Sequence, residues 1–585
     1  MKDPESDKRL PLFVPHSSTT TAVNKTGSWR FYHPKYEEKT APCSAACPLG
    51  QDIARIEMLA ARSQLDDAWQ TIMAENPFPA VCGRVCFHPC EDVCNRAGLD
   101  DAIAIHSLER YMGDRALSKA SRPSAGARPF NGKKVAIAGA GPAGLAAAHF
   151  LVRLGYSCDV FEAAAQAGGL LRWGIPAYRL PRDILEHEIS RISTAGVNII
   201  CQTPVTPKRL ERLRQEYDAL FIGCGFGRSI RLFIEGGDMA ADGLQFLRRL
   251  HNDVRPSLPG TAAIIGGGNT AVDVARCLIR LGATPLIVYR RRIADMPAFE
   301  PEVAMALAEG VRIMELAAPI RIREISADRV AGRPDYELTV QKMKVSPRDN
   351  GGRARVVPDG SETTALTVQN VFAAIGAAAD ALWQTPDSDP SATLALSHCK
   401  FVVQDPPMVF GGDLTSPVKS VADAIASGKQ AAMALDTYFA QGADAIPARL
   451  AACRVGPGPA LSMAVYLGED RQNRSAHIVE RAEIVSDYFP KAARCRLSVL
   501  AAEQRRRSFG EIASALDQSS ARDEARRCFN CGICSACDYC RLYCPEMAVV
   551  VEDTRRSINM EFCKGCGVCA TECPRNAMAL EEETR

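Results

Sequence analysis

Two cysteine ladders of one pattern mark the carboxy-terminal stretch: Cys534, Cys537, Cys540 and Cys544 before Pro545, then Cys563, Cys566, Cys569 and Cys573 before Pro574. Each reads CxxCxxCxxxCP. In this spacing three close thiolates grip one iron–sulfur cluster from a loop while the fourth crosses to the other cluster, so the two runs work only together. Zinc sites and disulfide frameworks use other spacings, and two matching runs do not arise as buried core residues. The pattern predicts a small module that carries two [4Fe-4S] clusters and moves single electrons. Cys528 and Cys531 extend the first ladder upstream in RRCFNCGICSAC. Because the ladders alone saturate two clusters, the role of this extra pair stays open between ligation and a place beside a cluster.

At 585 residues the chain is too long for one core, and roughly three or four domains are expected. The formal charge of +2 gives no electrostatic footprint for nucleic acid or a membrane surface. MKDPESDKRLPLF lacks the apolar run of a signal peptide, and no later segment reaches about eighteen uninterrupted apolar residues. A cytoplasmic protein without membrane insertion or nucleic-acid partner is expected. The 23 cysteines then argue for clusters rather than disulfides, because reducing cytosol keeps thiols free. Cys158, Cys201, Cys224, Cys277 and Cys399 lie in apolar strands or helices and read as small core residues.

KKVAIAGAGPAGLAAAHFLVRLGYSCDVFEA predicts a buried strand, a turn at Gly139, Gly141 and Gly144, a helix, and a second strand ending on Glu162. The glycines admit a pyrophosphate at a helix N-terminus, and the acid about twenty residues on accepts ribose hydroxyls. A second unit, TAAIIGGGNTAVDVARCLIRLGATPLIVYRRR, has Gly266, Gly268 and Ala271 in its turn but runs into Arg290, Arg291 and Arg292 where the first ends on an acid. Arginines suit the extra phosphate of NADP(H), which favours it over NAD(H); the alternative is a solvated charge run. Farther on, VFGGDLTSPVKSVADAIASGKQAA gives a strand, Gly412 and Asp413, and a helix starting near Ser420. Such a start can face a flavin, with Asp413 bonding the ribityl chain. The FAD fold is then built from two separated segments, with the NAD(P) fold inserted between them.

Across roughly residues 40–445 the chain resembles the glutamate synthase small-subunit family, which includes the amino-terminal half of dihydropyrimidine dehydrogenase. The resemblance rests on CSAACP, FPAVCGRVCFHPCEDVC, GAGPAGLAAA, GGLLRWGIPAYRLP, GGGNTAVD with VYRRRIADMPA, and the closing GGD, in family order. It implies FAD contacts from Val85, Gly139, Gly141, Pro142, Ala143, Gly144, Glu162, Gly169, Leu170, Arg179, Val205 and the stretch from Asp413 to Val421. It also implies nicotinamide-cofactor contacts from Gly268, Asn269, Thr270, Arg290 and Arg291.

Relatives with two amino-terminal clusters have cysteines where this chain has Lys35 and Glu38, so one cluster is expected to be missing. By resemblance Cys47, Cys86 and Cys90 hold the flavin-proximal cluster, with Glu109 as an oxygen ligand on the following helix. An oxygen in place of a thiolate alters cluster charge and hence potential. Cys43 and Cys94 match half of the missing cluster and Cys82 a position some relatives leave without sulfur. Free thiols and a role for Cys94 as fourth ligand in place of Glu109 both stay open. His88 reads as a packed histidine or as a hydrogen-bond partner of the cluster.

The expected fold is a multidomain α/β chain: a helical iron–sulfur domain (1–125), an FAD domain in two segments (126–240 and 375–445), an NAD(P)-binding domain (241–374), a linker (446–527) and a ferredoxin-like 2[4Fe-4S] domain (528–585). The expected function is an NAD(P)H-dependent, FAD- and cluster-containing oxidoreductase that exchanges electrons with ferredoxin or a partner redox enzyme. It has no separate catalytic residues, because the cofactors carry the chemistry. NKTGSWRFYHP resembles the start of the ferredoxin-like subunit of 2-oxoacid:ferredoxin oxidoreductases and hints at such a partner. The alternatives are a glutamate synthase small subunit and a relay subunit that binds flavin without turning over nucleotide.

Overall fold

The computed structural model describes residues 23–118, 128–251, 255–325, 335–346, 355–383, 392–468, 474–552 and 555–583. MKDPESDKRLPLF lies outside the described residues. The chain divides into two compact units: Met1–Lys39 with Val479–Pro490 and Phe529–Arg585, and Thr40–Ile478 with Lys491–Cys528.

This division corrects the expected boundaries. The described part of the first 39 residues belongs with the carboxy-terminal module instead of a helical domain running to 125, and 446–527 is not a separate linker. The reason is strand completion. Tyr32–Tyr36 pairs antiparallel with Met578–Glu582, in register from Tyr32 opposite Glu582 to Tyr36 opposite Met578. Upstream, the Gly27 N–H donates to Glu561 O at 2.8 Å, and Arg30 donates to Glu583 at 2.5 Å and to the Met560 carbonyl. Val549–Glu552 and Arg555–Ile558 form a separate hairpin in the same unit. Met578–Glu582 takes its strand partner from this distant segment, whose Pro34 and Tyr36 line the cavities between the cysteine loops. Within the same unit Phe489 packs on Phe529, with ring centroids 4.4 Å apart.

In the larger unit both nucleotide folds form as expected. The first has a seven-stranded sheet among the described residues, in the order Thr393–Ala395, Lys400–Val402, Met408–Phe410, Ala219–Ile222, Lys134–Ala138, Ser157–Phe161, Val197–Ile200. The pairs from Met408–Phe410 onward are parallel. ALFI is buried at all four positions, as a strand covered by helices on both faces must be. The second fold is a five-stranded parallel sheet ordered Arg312–Met314, Ala283–Val288, Gly260–Ile265, Asn370–Ala373, Ala241–Asp242. Its chain lies between the two segments of the first.

Helices carry the amino-terminal part of this unit. Pro79–Val85 crosses Ile105–Ser118 with backbones almost touching: a Cβ on Gly83 would meet Arg110 N at 2.4 Å, and one on Gly113 would meet Ala80 Cα at 2.6 Å. Glu188, from the flavin-fold helix Arg182–Thr194, accepts from the Ala80 and Val81 N–H groups at 2.9 and 3.1 Å and caps the shorter helix. Part of the expected linker packs here too. Glu75 is buried and binds Lys429 Nζ at 2.7 Å, Ser462 Oγ at 2.5 Å and Met463 N at 2.8 Å, while Arg474 donates to buried Asp52 at 2.7 and 2.8 Å. Among the described residues no helix is long and apolar enough to cross a membrane.

Candidate flavin, nucleotide and iron–sulfur sites

The first fingerprint turn is built for close approach. Gly139 has φ +99°, and a Cβ on Gly144 would strike Gly139 O at 2.0 Å, so the helix Pro142–Arg153 starts hard against its strand. Glu162 accepts from the N–H groups of Ala140 and Ala164, both at 2.8 Å, which fixes its carboxylate beside the turn. Gly168 N donates to Ala140 O at 2.8 Å. The loop with Gly169 and the half-exposed Leu170 therefore lies against Gly141 and Pro142, and a Cβ on Gly169 would meet Gly141 Cα at 2.8 Å. Val205 borders the apolar core next to Phe161.

The second flavin-fold segment closes onto this turn. Gly412 has φ +66°, and a Cβ there would press on that of Ala143 at 3.0 Å. A Cβ on Gly428 would meet Ala143 O at 2.2 Å, so the helix Val421–Gln441 packs backbone to backbone on Pro142–Arg153. Among the described residues the Asp413 carboxylate has no hydrogen-bond partner, and burial pushes its pKa up. A half-buried carboxylate beside glycines that keep a cleft open fits a polyhydroxyl chain and pyrophosphate such as those of FAD.

Arg179 is placed differently from the expected flavin contact. Its guanidinium is buried and bonds Asp273 at 2.9 and 3.0 Å and approaches Glu302 at 3.2 Å, both on helices of the second fold. Next to it the Tyr178 ring lies 4.7 Å from the Arg276 guanidinium and 3.9 Å from that of Arg280. The neighbouring charges hold Arg179 as a tie between the two folds.

In the second fold, Gly266 has φ +140° and Gly268 precedes the helix Asn269–Arg280 with open space where a Cβ would stand. The first N–H groups of that helix, at Asn269 and Thr270, have no intrahelical acceptor by geometry; this is the anion cradle expected of the motif. Asn269 Oδ1 accepts from Phe299 N at 2.9 Å, and Ala271 is buried in the core. Arg290 is exposed at the end of the second strand, with Arg291 partly buried beside it. Arg292 is already paired with Asp295 at 2.8 and 3.1 Å.

One cavity gathers the amino-terminal candidates: Cys47, Cys86, Cys90 and Glu109 line it together with Cys82 and Glu57. The Gly83 and Gly113 crossing brings the helix of Glu109 against that of Cys82. Glu109 Oε1 accepts from Gln51 Nε2 at 2.7 Å and Asn76 Nδ2 at 2.8 Å. Its other oxygen has no hydrogen-bond partner among the described residues, and burial pushes the carboxyl up to about 7. Three thiols and one half-anchored carboxylate round a buried cavity suit a four-ligand iron site. Cys43 and Cys94 do not line this cavity. Gln51, Asn76 and Glu57 belong to no motif, and the sequence reading missed them. Ala422, the second residue of the helix Val421–Gln441, lines the same cavity. Across from it, Phe299 of the nucleotide fold packs on Phe87 and His88, with ring centroids at 5.3 and 5.5 Å. His88 stacks on His106 at 3.8 Å, a packed histidine that burial pushes down to about 3.

In the smaller unit two cavities divide the ladder cysteines as the crossover spacing requires. One is lined by Cys534, Cys537, Cys540 and Cys573, the other by Cys563, Cys566, Cys569 and Cys544. Backbone N–H groups reach the crossing thiols symmetrically, Ala548 to Cys544 and Ala577 to Cys573, each at 3.3 Å. Four thiols round each cavity, with N–H donors on the sulfurs, fit a cluster in each. Cys528 closes the larger unit and Cys531 lies in the smaller one. Cys158, Cys277 and Cys399 are buried core residues, whereas Cys201 and Cys224 are partly exposed.

Comparison with known proteins agrees with this layout. Residues 36–121 match the model of dihydropyrimidine dehydrogenase domain II, 4Fe-4S cluster; 133–389 match pyridine nucleotide-disulphide oxidoreductase; and 556–579 match a 4Fe-4S binding domain. The chain is 34% identical over 530 residues to the NADP(+)-dependent formate dehydrogenase subunit beta of Moorella thermoacetica, covering 84% of this chain and 70% of that one. It is 35% identical to the NADPH-Fe(3+) oxidoreductase subunit beta of Geobacter sulfurreducens, over 61% of this chain and 53% of that one. With the NAD-dependent dihydropyrimidine dehydrogenase subunit PreT of Salmonella typhimurium it shares 33% identity over 68% of this chain and 91% of that one. The chain therefore belongs to this family of FAD- and NAD(P)-binding iron–sulfur oxidoreductases, flavoproteins that transfer electrons between pyridine nucleotides and iron–sulfur clusters.

Proposed function

We propose that the chain is an NADPH-using electron-transfer subunit that takes in hydride at the nucleotide fold and delivers single electrons through cysteine-held clusters to a partner oxidoreductase or ferredoxin. The observation that carries this reading is the cavity shared by Cys47, Cys86, Cys90, Glu109 and Ala422, because it sets an iron site against the start of the flavin-facing helix. When bound, FAD accepts two electrons as hydride and releases them one at a time. The chain's own residues position and insulate. The Gly139 to Gly144 turn and Glu162 seat the dinucleotide, Asp413 accepts from its hydroxyls, and the apolar wall of Ile53, Ile56, Ile72 and Ile105 around the internal cavity keeps water from the iron site. The ladder cysteines Cys534, Cys537, Cys540 and Cys544, with Cys563, Cys566, Cys569 and Cys573, hold the two terminal clusters.

Preference for NADPH rests on Arg290, which is exposed and lacks an ion-pair partner among the described residues, and on the NADP named for two of the relatives. Arg290→Ala is expected to weaken NADPH use about tenfold or more, as loss of a charge-assisted phosphate contact does, with little change for NADH. Equal losses would remove the 2′-phosphate assignment. The test of the whole reading is an anaerobic titration of cluster-replete protein with each nucleotide, following flavin bleaching and cluster reduction together. Reduction of the flavin and then the clusters supports it, and a flavin that responds to dithionite but to neither nucleotide overturns it.

A 2-oxoacid:ferredoxin oxidoreductase is the partner favoured by NKTGSWRFYHP, since this segment completes the terminal module's sheet. Cytoplasmic residence follows from such a partner. Nucleotide-dependent turnover only when that enzyme is added would support the assignment; equal turnover with free ferredoxin alone would count against it.

A further inference from the structure

Only one of the two terminal cavities has, among the described residues, a side-chain hydroxyl within reach of a ligand sulfur. Cys534, Cys537, Cys540 and Cys573 surround a space that Tyr36 also lines, and the Tyr36 hydroxyl lies 3.4 Å from Cys540 Sγ. The other space, among Cys544, Cys563, Cys566 and Cys569, is lined instead by Pro34. Pro34 and Tyr36 are two residues apart on one strand, opposite Leu580 and Met578, so alternation puts both side chains on one face of the sheet. The backbone donors do not distinguish the sites, since Ala548 N and Ala577 N each stand 3.3 Å from their crossing thiol. Among the described residues no side-chain donor hydrogen-bonds to the sulfurs of the second set. Cations stand at both sites: Arg556, paired with Asp538, and Arg575 line the first, while Lys564, paired with Glu546, lines the second and Arg30, paired with Glu583, lies beside Cys563.

We propose that the Tyr36 hydroxyl is a positioning donor that raises the reduction potential of the cluster held by Cys534, Cys537, Cys540 and Cys573, and of that cluster alone. The proposal rests on the ligand assignment made above. An iron-bound thiolate carries no proton, so in this pair only tyrosine can donate. Reduction adds one electron and no proton to the cluster, which makes its sulfurs more negative and the O–H···S contact stronger. The bond therefore favours the reduced state, as hydrogen bonds to cluster sulfurs do. A strand more than five hundred residues away in sequence thus gives one of the two cluster sites a donor that the other lacks, and electrons a preferred resting place within the module.

The test is a mediated redox titration of the full chain, reduced chemically and read by EPR, so that it does not depend on nucleotide turnover. Tyr36→Phe keeps the ring and removes the donor; the expected result is a shift of one terminal cluster to lower potential with the other unmoved. 3-Fluorotyrosine introduced at position 36 keeps the ring and hydroxyl but donates more strongly, and should shift the same cluster upward. Unchanged potentials in the two variants, or equal shifts of both clusters, would overturn the proposal. Wild-type protein lacking two terminal cluster signals would instead refute the ligand assignment beneath it.

Discussion

The internal cavity and the two terminal cavities gather thiols, where we propose that iron is held, by opposite means. The terminal sites take six of their eight cysteines from two short loops, and Cys537 and Cys566 are exposed to solvent. The internal site collects Cys47, Cys86, Cys90 and Glu109 from separate elements, and its shape depends on glycine-mediated helix crossing and on buried ion pairs. A loop-held site can be read from spacing and offers electrons at a surface. A site assembled by tertiary packing is coupled to what packs on it, here the helix Val421–Gln441 through Ala422.

The contrast makes the two sites separately breakable. Removing residues 1–38 takes away the strand that pairs with Met578–Glu582 and the donors on Glu561 and Met560. Loss of both terminal clusters is expected, seen as loss of their EPR signals and iron, while flavin absorbance and the internal cluster persist. Retention of the terminal signals would mean the ladder module folds alone. Next in size, Lys429→Met leaves Glu75 buried without its cation. Removing one partner of a buried pair costs about 3–5 kcal/mol. Denaturant melts followed by flavin release should shift by that amount, with the terminal clusters unaffected. A loss below about 1 kcal/mol would show that the Ser462 and Met463 donors suffice to hold the Glu75 carboxylate.

How much of this was legible in sequence follows the same divide. The ladders, the two fingerprint turns and the split flavin fold depend on residues close in sequence, where spacing determines geometry. What escaped depends on contacts with distant partners. Tyr32–Tyr36 has no apolar alternation that names Met578–Glu582 as its partner, so the amino-terminal segment was read into the wrong domain. Arg179 sits in a motif next to the flavin turn, yet its guanidinium meets Asp273 and Glu302, which only the packing of the second fold brings near. Glu75 and Asp52 look like ordinary surface acids of helical segments until Lys429 and Arg474 arrive from some 350 and 420 residues downstream.

Glu109 gives the smallest and sharpest test, because it asks whether the packed site uses oxygen as its fourth ligand. One of its oxygens is held by Gln51 and Asn76, and the residue lines the cavity together with Cys47, Cys86 and Cys90, so the other oxygen is the candidate ligand. Glu109→Gln preserves shape and an oxygen but removes a negative charge. If the carboxylate ligates, the internal cluster should persist with a higher potential, since a less anionic ligand set favours the added electron. Glu109→Ala should lower the iron content of that site alone. Were Cys94 the fourth ligand, neither substitution would change cluster occupancy, and Cys94→Ser would abolish it. The cavity predicts the reverse, for Cys94 lies outside its lining. A cluster retained in full with unchanged potential in Glu109→Gln and in Glu109→Ala would make the carboxylate a packing residue and return the fourth position to a thiol.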